Sequence, residues 1–172
     1  MSDTMTFPPA TEADLVSRVS QFLFHEAELL DARDWEGWDA LFAPEGVYWV
    51  PSSSDQSDPL EQVSLIYDPP LLRRIRLQRL RNDDASSLEP GVQSTHHVSN
   101  VIVKTYDAPA RRCTVVSQLI VGQWTPWKQS TFHACCMHEL IIGEDPQGCL
   151  ILSKRIDLLG AKGALGDILT IL

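Results

Sequence analysis

The stretch from Gln21 to Pro51, QFLFHEAELLDARDWEGWDALFAPEGVYWVP, constrains the fold more than any other part of the chain, because three element signals follow one another in it with almost no loop. The first is the end of a strongly patterned helix. Thr11, Glu12, Ala13 and Asp14 read as its capped start, with Thr11 able to accept a backbone N–H and Asp14 near the positive end of the helix dipole. From there to about Asp31, helical steps gather Leu15, Val16, Val19, Phe22, Leu23, Ala27, Leu29 and Leu30 in one broad arc. Asp14, Ser17, Arg18, Gln21 and Glu28 take the other side. Two residues break the pattern: Glu26 lies near the middle of the apolar arc, and Phe24 lies in the polar face. After Asp34 a short helix with Trp35, Trp38, Leu41 and Phe42 is expected to end at Pro44 and Gly46, and VYWV then reads as a strand.

Residues 51–59 read as a polar loop, and Val63, Leu65 and Tyr67 alternate as a short strand. Asp68, Pro69 and Pro70 open a third helix, LLRRIRLQRLR, since proline is tolerated in a first helical turn. Its apolar residues fall on two flanks, so it is expected to contact two things. From Thr95 onward the chain offers four long strands, about 95–106, 112–124, 131–142 and 149–159, joined by turn material such as Asp-Ala-Pro and Thr-Pro-Trp. Helices followed by a run of antiparallel strands give an α+β domain in which a curved sheet wraps the helices on its concave face.

At 172 residues, with 44% hydrophobic and 22% charged residues, the chain fits one globular domain spanning 1–172, with 1–10 as a flexible or arm-like N-terminal segment. A formal charge of −9 argues against a surface that tracks phosphates, so no nucleic acid is expected as partner. The first residues carry no basic region or apolar run and no later segment reaches membrane-spanning length, so a cytoplasmic protein without a membrane partner is expected. Cys113, Cys135, Cys136 and Cys149 lie in apolar strand candidates and read as buried thiols rather than a disulfide framework.

His133 and His138 invite a metal reading, but they are an odd number of residues apart on one strand and point to opposite faces. Cys135 with His138, and the overlapping Cys136 with His138, supply only fragments of a Rieske motif, which needs two Cys and two His in separate pairs. No metal is therefore assigned to this chain, since metal sites need several converging ligands. His96 and His97 are adjacent on a strand, so one faces the concave side and the other faces outward. Glu26 is the sharpest candidate. A carboxylate centred on an apolar helix face has to be ion-paired, hydrogen-bonded or protonated. Tyr48, His97 and Asp31 are the companions considered for it.

The helix FLFHEAELLD, the connection WEGWDALFAPEGVYW, and the segments SLIYD and THHVSNV together resemble the small (beta) subunit of aromatic-ring-hydroxylating dioxygenases. The resemblance spans nearly the whole chain and is weakest in the first ten residues and at the C-terminal end. It implies an NTF2-like (cystatin-like) cone, with about three helices on the concave face of a curved, mostly antiparallel sheet, in agreement with the element order. It also implies a structural, non-catalytic subunit, inactive alone and without a cofactor of its own. The implied partner is a large (alpha) subunit with a Rieske 2Fe–2S cluster and a mononuclear Fe(II). That subunit adds both atoms of O2 to an aromatic ring, with electrons from NAD(P)H, in aromatic hydrocarbon catabolism. The usual assembly is an α3β3 hexamer on a trimeric base of small subunits. SLIYD resembles the benzoate-type branch, which favours an aromatic acid, in a pocket that would belong to the large subunit. For Glu26 the resemblance implies a structural role, for instance pairing with an arginine.

Aromatic residues and arginines are the usual anchors of subunit contacts, and Phe24, Trp35, Trp38, Arg73, Arg76 and Arg79 are the interface candidates. Phe24, Trp35, Trp38, Trp124 and Trp127 are nevertheless more often core than interface, and the arginine run can equally be a solvated face. A competing class is a free-standing NTF2-like isomerase or dehydratase, using Glu26, His97 and Tyr48 on a small hydrophobic substrate. A third is a binding protein that holds a small molecule in the cone without turning it over.

Overall fold

Helix α1 (Glu12–Asp31) buries Leu15, Val19, Phe22, Leu23, Glu26 and Leu30, which is the apolar arc with the carboxylate still in it. The computed structural model describes residues 12–81, 91–143, 148–163 and 166–172, so the expected cap at Thr11 and the arm at 1–10 lie outside the described residues. Glu12 and Asp14 occupy the first turn, where the dipole favours negative charge. The short α2 (Trp35–Ala40) follows almost at once, and its N-cap Asp34 accepts the Gly37 backbone N–H at 2.9 Å.

The sheet contains β1 (Phe42–Val50), β2 (Ile66–Asp68), β3 (Gln93–Asp107), β4 (Arg112–Thr125), β5 (Lys128–Ile142) and β6 (Cys149–Leu158), in the order β2-β1-β6-β5-β4-β3. Its pairs are antiparallel except β1 with β6. Helix α3 (Pro70–Arg81) starts on Pro70 as expected, while β2 begins later than the Val63 to Tyr67 alternation proposed. Val63 is in fact exposed.

Strand β1 corrects the expected end of the short helix. Phe42 already belongs to the strand, and Pro44, Glu45 and Gly46 form an irregularity inside it, because the register to β6 runs Phe42↔Ile151 and then Val47↔Ser153. Pro44 faces solvent there, at a bulge, where its missing N–H takes nothing from the ladder. Gly46 is required by close approach, since a Cβ at that position would lie 2.4 Å from the Ile151 carbonyl oxygen.

Alternation then sorts the strands into two faces. Inward go Cys113, Val115, Ser117, Leu119 and Val121 of β4, Phe132, Ala134, Cys136, His138, Leu140 and Ile142 of β5, and Lys154, Ile156 and Leu158 of β6. These pack with α1, Trp35 and Trp38 into one core, each large apolar side chain contributing about 1.5–3 kcal/mol of transfer free energy. Ile171 and Leu172 complete that core from the segment 166–172. The antiparallel register places His138 directly beside Lys154, and both face α1 at Glu26.

Candidate functional site: a closed polar cluster inside the core

Glu26 is buried in the middle of α1 and accepts three hydrogen bonds from three other elements. Lys154 Nζ donates at 2.8 Å from β6, His138 Nε2 lies at 3.1 Å on β5, and Trp38 Nε1 donates at 3.0 Å from α2. Burial pushes the Glu26 carboxyl up, but the charge of Lys154 and of His138 and the hydrogen bonds from both outweigh it and hold it well below the usual carboxylate range. Glu26 is thus a carboxylate with donors on both oxygens. Cys136 sits in the same inward row of β5, its thiol pushed up to about 12 by burial.

Next to the cluster, Glu26, His138, Lys154, His96, Ser117 and Leu119 line a cavity of about 10 Å³. That is room for about one water molecule. His138 Nδ1 is buried there without a protein partner. The arrangement can neutralise and register α1, α2, β5 and β6 against one another. It leaves no room for an organic substrate against the carboxylate.

The expected companions of Glu26 are not brought to it. His97 is exposed on the outer face, because strand alternation turns its neighbour His96 inward instead. Tyr48 is fully buried, packs edge-on against Trp38 with centroids 5.6 Å apart, and accepts the Leu172 backbone N–H at 3.2 Å. Asp31 pairs with His96 at 2.6 Å. Strand parity carried a usable signal for the missed pair. Lys154 falls in step with Ile156 and Leu158, and His138 in step with Cys136 and Leu140, so each is a polar residue in an inward row. His133 is exposed on the outer face, opposite to His138, and among the described residues no group of three His, Cys, Asp or Glu is placed to hold a metal ion.

The interface candidates divide as well. Trp38 and Arg73 are buried within the chain and cannot offer docking surface. Arg73 binds Asp39 at 2.7 Å, donates to the Gly46 carbonyl and stacks 3.9 Å from the Phe42 ring centroid. Trp35 is also buried. Arg76 is half-buried and forks onto Asp68, while Arg79 and Phe24 are exposed. Trp127 at the β4–β5 turn is 83% exposed and Trp124 beside it 46%, against the expectation that both are core. A groove of about 360 Å³ runs between α3 and the segment 166–172, lined by Leu72, Arg76, Arg79, Leu80, Ile168 and Ile171. Among the described residues no helix is long and apolar enough to cross a membrane.

A helix-backed, mostly antiparallel sheet of this kind recurs in solved dioxygenase structures. The chain superposes on the beta subunit of the benzoate 1,2-dioxygenase from Burkholderia mallei with a TM-score of 0.74 and 24% identity, covering 96% of this chain and 100% of that one. It also superposes on a chain of naphthalene 1,2-dioxygenase with a TM-score of 0.80 and 16% identity, covering 96% and 90%. These likenesses establish the NTF2-like fold. The family described as ring hydroxylating beta subunit matches residues 25–161, and the chain belongs to that family. Relatives include the beta subunit of benzoate 1,2-dioxygenase from Acinetobacter baylyi, 31% identical over 97 residues, which are 54% of this chain and 57% of that protein. The small subunit of 2-halobenzoate 1,2-dioxygenase from Burkholderia cepacia is 38% identical over 88 residues, 48% of this chain and 53% of the relative. The match thus spans about half the length of these curated relatives.

Proposed function

We propose that this chain is the structural subunit of a ring-hydroxylating oxygenase, supporting a catalytic large subunit and performing no chemistry itself. The observation that carries this reading is the closed cluster at Glu26: three donors saturate the carboxylate, and the adjoining space of about 10 Å³ admits no aromatic ring. Family membership supplies the context. In this reading the large subunit carries a Rieske 2Fe–2S cluster and a mononuclear iron, takes electrons originating from NAD(P)H, and holds the substrate pocket. The whole is an α3β3 hexamer in the cytoplasm. An aromatic acid is the favoured substrate, in keeping with the benzoate, halobenzoate and toluate activities named for relatives. Exposed Phe24, Arg79, Trp124 and Trp127 are the surface residues best suited to contact neighbours.

Co-expression with a large subunit of a ring-hydroxylating dioxygenase, followed by native mass measurement and iron analysis, tests the proposal. A hexamer whose iron follows the large subunit, with iron-free chain when this subunit is made alone, is expected. Iron bound to this chain alone, or product formed by it alone, contradicts it.

A further inference from the structure

We propose that the loop 51–65 of one copy of this chain docks into the groove beside α3 of a second copy, joining copies head to tail. The loop is compact, and its ends are held together by the Val50↔Ile66 pair of β1 and β2. Its interior is polar. Gln56 is 1% exposed; its side-chain oxygen accepts the Ser52 N–H at 3.1 Å, and its amide donates to the Gln62 carbonyl and the Ser64 hydroxyl at 3.0 Å each. Arg155 clamps the loop from β6, donating to the Gln56 carbonyl at 2.8 Å and the Ser54 carbonyl at 3.0 Å. The same guanidinium lies 4.5 Å from the Trp49 ring centroid, and Trp49 donates to the Ser64 hydroxyl at 2.9 Å.

The apolar residues of the loop are turned the other way. Leu60 is 80% exposed, Val63 87% and Leu65 42%. An exposed leucine standing singly needs no explanation, but these three are close neighbours on a loop ordered around a buried glutamine, which makes them a fixed apolar projection. Because the loop is ordered beforehand, docking it costs little conformational entropy. Its charge has one sign: Asp55, Asp58 and Glu61 are its ionisable residues, and Glu61 is exposed between Leu60 and Val63. Asp55 lies 3.4 Å from Lys162, and Asp58 accepts the Leu60 N–H at 2.8 Å. The surface that fits this projection is an apolar groove with a positive charge at its rim.

The chain carries such a surface. Leu72, Ile75 and Leu80 lie on one stripe of α3 and face Ile168 and Ile171 across the groove of about 360 Å³, which has room for the side chains of Leu60 and Val63. Arg76 and Arg79 belong to the same stripe. Asp68 compensates Arg76, which leaves exposed Arg79 as the positive charge of the groove, placed to fork onto the carboxylate of Glu61. At a formal charge of −9 two copies repel one another at long range, so this local match of opposite charges fixes how they meet. Loop and groove are different patches of one chain, so the contact is heterologous, and successive copies close into a ring larger than a dimer. The contact does not depend on the proposed oxygenase role.

Native mass measurement and sedimentation of the full chain, made alone and with charge reversals, test the contact. The unaltered chain is expected as a closed ring larger than a dimer. Glu61→Arg and Arg79→Glu are each expected to weaken association by about tenfold or more, and the two together in one chain to recover it to within about threefold of the unaltered chain. A monomer or a two-fold dimer overturns the proposal, as do single reversals that associate like the unaltered chain, or a pair that associates no better than the singles. Should a reversal not fold, chains carrying Leu60→Cys and chains carrying Leu72→Cys are mixed under air oxidation instead. A disulfide joining the two kinds of chain is expected, and its absence overturns the proposal. Reversals that spare self-association yet weaken capture by a large subunit also overturn it, and give the loop to that partner.

Discussion

Glu26→Gln removes the negative charge toward which Lys154, His138 and Trp38 converge and changes little else in shape. Glutamine's oxygen can still accept from Lys154 and Trp38, which share Oε1, while its amide NH2 takes the place of Oε2 beside His138 Nε2 and brings no negative charge. Lys154, whose side chain is 4% exposed, is then an ammonium without an anion. Removing one partner of a buried ion pair costs about 3–5 kcal/mol. Against a typical domain stability of about 5–15 kcal/mol, that is a large share of the total. At about 2–4 °C per kcal/mol for a chain of this size, the expected fall in Tm is roughly 6–20 °C. Removing both charges with Glu26→Leu and Lys154→Met is expected to recover part of the loss. The remainder comes from Trp38 Nε1 and His138 Nε2, both buried and left without their partner at about 1–3 kcal/mol each. Because the folded-state carboxyl is held below its ordinary value, its contribution to stability is present above the unfolded-state value of about 4.3 and is lost as pH falls below it. Urea or thermal unfolding of the three proteins across pH is the assay. A Glu26→Gln variant within about 0.5 kcal/mol of the parent would refute the reasoning.

Two further outcomes follow from side chains outside the cluster. Arg73→Lys is expected to cost about 1–3 kcal/mol, because an ammonium cannot serve Asp39, the Gly46 carbonyl and the Phe42 face together; chemical unfolding reads it, and a neutral result rejects the role given to the fork. Trp127→Ser is expected to leave the unfolding free energy of the isolated chain within about 0.5 kcal/mol while reducing the fraction found in the complex by native mass, and unchanged assembly removes Trp127 from the proposed contacts.

The elements that the sequence made legible were those set by local periodicity. Of the expected arc of α1, Leu15, Val19, Phe22, Leu23 and Leu30 are buried while Val16, Ala27 and Leu29 are half-buried at its edges, and four long strands lie within a few residues of their expected ends. Pro44 and Gly46 misled because they are helix-ending signals in isolation, whereas here they sit in a bulge whose existence depends on Ile151, more than a hundred residues away. Burial of Glu26 was readable from its place on the helix. Its partners were not, because pairing with Lys154 and His138 is fixed by the register of β5 against β6 and by which face α1 covers. Charge type gave no guide for Arg73 either: the arginine run of α3 reads equally as a solvated face or as subunit contacts, and only the approach of α2 and β1 turns that guanidinium inward. Trp124 and Trp127 erred in the other direction, since apolar character alone does not reveal that a turn projects into solvent.

Glu26 as framework rather than catalyst is the centre of this account, and turnover per assembled complex separates the two. With the large subunit and its reductase supplied, complexes carrying Glu26→Gln should assemble in lower yield while each assembled complex keeps kcat/KM within about twofold of the parent. Full assembly together with a loss of about a thousandfold or more in kcat/KM would contradict it.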